Sequence, residues 1–107
     1  MPQNSPQQLR EILETVHTIA LVGASDKPHR PSHEVMAYLQ GRGYRVIPVN
    51  PRLAGKTLLG ETVYADLASV PGPVDMADLF LAPNHTDPVI DTAIEKGIPV
   101  IWMQIGV

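Results

Sequence analysis

The residues best able to do chemistry come early, where Val22-Gly23-Ala24-Ser25-Asp26-Lys27-Pro28-His29-Arg30-Pro31-Ser32 follows the apolar run Thr18-Ile19-Ala20-Leu21. A strand, a turn of small residues and a helix beginning near Ser32 together make a place for phosphate. Gly23, Ala24 and Ser25 let an anion approach the backbone, and the first N–H groups of the helix present the positive end of its dipole. Lys27 and Arg30 supply positive charge, and Ser32 either caps the helix or donates to the anion. A dinucleotide fingerprint needs glycine at three positions, G-x-G-x-x-G. Ser25 and Pro28 hold the second and third here, so the segment reads as a phosphate site of another kind. Lys27 also breaks the G-x-S-x-G elbow, which leaves Ser25 as a binding residue rather than a nucleophile.

A second group, Asn50-Pro51-Arg52 with Lys56, stands where a nucleotide domain meets the ribose. An NAD site places an acidic residue there. Asn50 bonds a ribose or an amide without repelling phosphate, and Arg52 and Lys56 suit an additional phosphate. NAD is disfavoured, and NADP remains an alternative. Coenzyme A, an ADP derivative with a pyrophosphate, a 3′-phosphate and an amide-bearing arm, fits the same residues.

The other candidates are weaker. Asp75 and Asp78 lie three apart in an expected strand, so they face opposite ways and make a poor acid–base pair. Asp78 is expected to be buried and bonded to backbone N–H groups. His17, His29, His33 and His85 show no pair four apart on an expected helix and no carboxylate frame, so no metal site is expected. Trp102 reads as packing.

These groups need positioning elements. Ser5-Pro6-Gln7-Gln8 reads as a capped helix start, with Leu9, Ile12, Leu13 and Val16 as its apolar stripe. A strand over 18–22 follows. The next helix carries Val35, Met36 and Leu39 and ends at Gly41 and Gly43. A second strand spans Tyr44 to Val49, and a loop runs from Arg52 to Thr62. Val63-Tyr64 reads as a short edge strand, and Asp66 as the cap of a short helix. A strand from Val74 to Leu81, a turn at 82–86, a helix with Val89, Ile90, Ala93 and Ile94, and a strand from Ile98 to Met103 complete the pattern. Alternating strands and helices imply an α/β fold: a Rossmann-like, doubly wound, mostly parallel sheet with helices on both faces. Ligands of such sheets bind beyond the carboxyl ends of the strands.

At 107 residues the chain is expected to be one domain, residues 1–107. Its net charge of −3 argues against nucleic acid or an anionic membrane as partner. It has no cysteine, and no apolar run approaches the roughly 20 residues that span a bilayer, so a cytoplasmic protein is expected. A strand so close to the end, with Gly106 opening a turn, points to C-terminal truncation, or to an edge that is exposed or covered by a partner.

The motifs match a known pattern in order and spacing. Val-Gly-Ala-Ser-x4-Arg-Pro-Ser at 22–32, Gly-Tyr-x-Val-Ile-Pro-Val-Asn-Pro at 43–51, Gly55 with Gly60, Val74-Asp75 to Phe80, and Trp102-Met103-Gln104-Ile105-Gly106 resemble the small bacterial CoA-binding domain proteins. Their fold is similar to the N-terminal CoA-binding domain of the succinyl-CoA synthetase alpha subunit. The resemblance implies a non-catalytic module that binds coenzyme A or an acyl-CoA. Gly23, Ala24 and Ser25 would be its phosphate turn, Arg30 and Ser32 its helix-start residues, and Asn50 and Pro51 its second-strand end. Leu81 departs from the pattern, since similar members often carry a basic residue there. The synthetase's phosphorylated histidine lies in another domain, so none of the four histidines inherits that role. Two other classes stay open: an NAD(P)-type nucleotide domain of an oxidoreductase, and a ligand-free structural subunit that binds a partner chain or a second copy of itself.

Overall fold

The computed structural model describes residues 6–104. The expected cap at Ser5, the side chains of Gln8 and Leu9, and Gly106 lie outside the described residues. Helix α1 (Pro6–Leu13) leads into β1 (Thr18–Val22), α2 (Pro31–Gly41) and β2 (Arg45–Val49). A small hairpin, β3 (Thr57–Leu58) and β4 (Glu61–Thr62), precedes a 3₁₀ turn at Leu67–Ser69. Then come β5 (Met76–Leu79), a second 3₁₀ turn at Pro83–His85, α3 (Thr86–Glu95) and β6 (Val100–Met103).

The four main strands form one parallel sheet in the order β2-β1-β5-β6. Strand order reverses at β1, whose Val22 pairs with Val49 on one side and Leu79 on the other. Both faces are covered, which is why the strands are apolar nearly throughout. Leu21, Val46, Met76 and Trp102 pack toward α1 and α2, joined by Met36 and Leu39. Ala20, Ile47, Ala77 and Leu79 pack toward α3 and the turn at Leu67, joined by Ala93. This is the doubly wound α/β architecture expected from the alternation of elements.

Several details differ from the sequence reading. The last two main strands are shorter than their apolar runs, because Val74 and Ile98 are buried as loop residues feeding into the sheet. Ile94 is 66% exposed and leaves the buried stripe of α3. The loop after Arg52 contains the hairpin, which turns at Leu59 and Gly60, both with positive φ (49° and 85°). Val63-Tyr64 forms no strand of its own, and Tyr64 joins β2 through a single bridge to Val49. Two bonds make that joint: the Tyr64 N–H donates to Pro48 O at 3.0 Å and the Asn50 N–H donates to Tyr64 O at 2.9 Å. They close the 50–64 segment at its neck. Asp66 does cap the 3₁₀ turn, accepting from the Ser69 N–H at 2.9 Å.

Candidate functional site

At the carboxyl end of β1 the chain has to bend sharply beneath β5. Gly23 has φ +92°, and a Cβ there would stand 2.3 Å from the Phe80 carbonyl oxygen. Backbone cannot yield by that much, so this position requires glycine. The N–H groups of Gly23 and Ala24 both donate to Val49 O, at 2.9 and 3.2 Å, which ties the turn to β2. Asn50 strengthens the tie. Its Nδ2 donates to Ala24 O at 2.7 Å, and its Oδ1 accepts from the Arg52 N–H at 2.8 Å. Both ends of its amide are therefore engaged within the protein.

From Ser25 the loop curls into α2. Ser25 Oγ accepts from the Lys27 N–H at 3.1 Å, and the Arg30 N–H donates to Lys27 O at 3.0 Å. Arg30 is the N-cap residue, in extended conformation, and Pro31 is the first helical residue. Proline's fixed φ and missing N–H favour that position. Ser32 therefore lies inside the first turn and does not cap it. It is only 5% exposed, yet it lines the cleft. Among the described residues, nothing bonds to its hydroxyl.

Together these pieces surround a cavity of about 440 Å³. The structure brings Gly23, Ala24, Ser25, Lys27, Arg30, Ser32 and Asn50 to its walls, while Pro51 and Lys56 are not among the lining residues. Five others complete it: Asp26, Pro31, Arg52, Leu53 and Phe80. Three cations, Lys27, Arg30 and Arg52, face one carboxylate, Asp26, so the cleft is locally cationic in a chain of net charge −3. A helix N-terminus, a backbone turn and these cations are groups whose chemistry suits an anion such as a phosphate ester.

The two aspartates of β5 and its approach have separate surroundings. Asp75 lies at the other end of the sheet, where its carboxylate accepts from the His17 and Thr18 N–H groups at 2.9 and 3.0 Å. Those bonds, that from Thr18 first, hold its pKa below the usual carboxylate value. Asp78 is 2% exposed. Its partner is not backbone, as expected, but the Gln104 side chain, whose Nε2 donates to Oδ1 at 2.9 Å. Burial pushes Asp78 up to about 6, and the Gln104 bond offsets part of that rise.

Known proteins extend the comparison beyond geometry. A family model described as "CoA binding domain" matches residues 17–107. The chain belongs to the CoA-binding domain family. Among its relatives, this CoA-binding domain is 36% identical over 106 residues to the uncharacterized protein YneT of Bacillus subtilis, covering 99% of the chain and 77% of YneT. It is 28% identical over 95 residues to the alpha subunit of an ADP-forming acetate–CoA ligase of Pyrococcus furiosus, covering 85% of the chain but 21% of the subunit. Among solved structures it resembles a hypothetical protein from Pyrococcus horikoshii, with a TM-score of 0.88 and 38% identity over 100% of the chain and 78% of that protein. It also resembles a dinucleotide-forming acetyl-coenzyme A synthetase of Ca. Korarchaeum cryptofilum, with a TM-score of 0.71 and 30% identity over 85% of the chain and 20% of the synthetase. The CoA-binding domain thus spans about a fifth of those two larger chains. No helix among its described residues is long and apolar enough to cross a membrane.

Proposed function

We propose that the cleft binds coenzyme A, free or acylated, and that the domain works as a cofactor-binding module without a reaction of its own. One observation carries this reading. The Gly23–Ser25 turn, the first turn of α2 with Ser32 on the cleft wall, and three cationic side chains converge on a single cavity. The pyrophosphate would lie on the turn and the start of α2, with Arg30 and Lys27 beside it. Arg52 at the β2 end suits a further phosphate. A cavity of this size lies within the roughly 300–1,000 Å³ of small-molecule pockets, enough for the nucleotide end of the ligand. The rest of so long a molecule would run on across the strand ends.

Calorimetric titration with CoA, NADP and NAD tests the reading. Saturable CoA binding is expected, and binding of NADP or NAD without CoA would overturn it. Arg30→Ala should weaken CoA by roughly 1.5–3 kcal/mol, the worth of a charged hydrogen bond. Unchanged affinity would remove Arg30 from the site.

A further inference from the structure

Asp78 serves no purpose in the cleft described above, yet it is the one carboxylate among the described buried residues. It sits in the middle of the sheet, between Leu21 of β1 and Trp102 of β6 in register. Along its own strand it lies between Met76 and Phe80, and from α2 the same apolar cluster receives Met36. None of these neighbours is charged, and only burial and Gln104 act on its ionisation. A carboxylate in such a place has to be held for a reason, because solvation is lost and little replaces it.

The structure shows what Asp78 holds. Gln104 follows β6 at the carboxyl end of the sheet, where its N–H donates to Leu79 O at 3.0 Å. The residue after Leu79 is Phe80, a wall of the cleft. The Gln104 side chain is half-exposed. An ionised carboxylate only accepts hydrogen bonds, so Asp78 fixes which way the amide points: Nε2 inward and Oε1 outward, with no bond to Oε1 among the described residues. The result is an oriented acceptor at the same end of the sheet as the cleft.

Resting on the proposed CoA reading, we infer that Gln104 recognises the amide-bearing arm of the ligand, its Oε1 accepting an arm N–H, and that Asp78 is the positioning residue that presents it. The nucleotide end fills the cleft, and the arm leaves it past Phe80 toward β6. When Asp78 takes up a proton, its new O–H donates to Oε1 instead. The amide then turns, and the outward group changes from acceptor to donor.

The test compares CoA with adenosine 3′,5′-bisphosphate, which lacks the arm, by calorimetry on the 107-residue chain. At pH 7.5 Gln104→Leu should weaken CoA about fivefold, the loss of one ordinary hydrogen bond, and leave the bisphosphate within about twofold. Between pH 7.5 and 5 the wild-type affinity for CoA should fall more steeply than that of Gln104→Leu or of Asp78→Asn. In Asp78→Asn the amide orientation no longer follows pH. Equal loss of both ligands in Gln104→Leu would mark a merely structural role and overturn the inference, as would matching pH profiles in all three proteins. If the wild type binds both probes and the variants match it, this inference alone falls. If the wild type binds neither probe, the CoA reading falls with it.

Discussion

Replacing Asp78 with asparagine is expected to make the folded domain more stable at neutral pH. The magnitude follows from its surroundings. Burial moves its pKa from 3.8 to about 6, and at about 1.4 kcal/mol per pKa unit this is a cost of about 3 kcal/mol to the folded state once the group is ionised. The sign depends on pH. Because the folded pKa is raised, the folded chain holds the proton more tightly than the unfolded chain. Stability from this group is full below about pH 4, falls as pH rises toward 6 and is level above that. Asparagine never ionises, so it avoids the cost, and the charge-assisted bond to Gln104 that it gives up is already counted in the net shift. A net gain of about 2–3 kcal/mol at pH 7.5 follows, shrinking to about 1 kcal/mol at pH 4.5. Urea denaturation of both proteins at the two pH values measures it. Asp66 and Asp75 titrate in both chains and cancel in the difference. An Asp78→Asn protein less stable than wild type at pH 7.5, or a difference at pH 4.5 as large as that at pH 7.5, would refute the reasoning. A gain in stability joined to a loss of ligand discrimination is the pattern expected of a residue kept for function.

Other outcomes follow from the same geometry. Gly23→Ala should cost roughly 2–4 kcal/mol by thermal unfolding, since its Cβ meets backbone at 2.3 Å and cannot be relieved by a side-chain shift. Any protein that still folds should have lost CoA binding. Asn50→Ala removes both bonds that lock the turn to β2 and should lower stability by about 1–2 kcal/mol, with weaker CoA binding because Arg52 loses its anchor. Asp75→Asn should flatten the acid limb of the stability curve. The native carboxylate, held below 3.8 by two backbone N–H groups, adds stability that is present above pH 4 and lost as pH falls through its folded pKa. Acid titration followed by circular dichroism would show it.

The parts of the site that were legible in the sequence are those written locally. The apolar run ending in Gly23-Ala24-Ser25 and the helix stripe after it specify a strand, a turn and a helix within a short stretch. Proline at 31 decided where the helix begins, which moved Ser32 from the cap into the first turn, where burial rather than capping defines it. What the sequence does not show locally is contact between distant segments. Gln104 lies 26 residues from Asp78, and no local pattern signals that pair. Phe80 and Leu53 reach the cleft only because parallel pairing brings β5 and the end of β2 beside β1. The hairpin carries little local signal, because its strands have two residues each and Leu59 occupies a positive-φ position usually taken by asparagine or glycine.

The neck formed by Pro48, Asn50 and Tyr64 has a practical corollary. Arg52 and Leu53, which face the cleft, leave β2 just beyond it, whereas the Leu59-Gly60 tip lies farther out. The tip touches α2 through the Gln40 side chain, whose Nε2 donates to Leu59 O at 3.1 Å. Lengthening such a tip costs little, because closure entropy grows only slowly with loop size. A guest peptide or reporter spliced between Leu59 and Gly60 would ride on the rigid sheet while the cleft wall kept its shape. The domain thus offers a port for a fused tag or an immobilisation handle that leaves the pocket undisturbed.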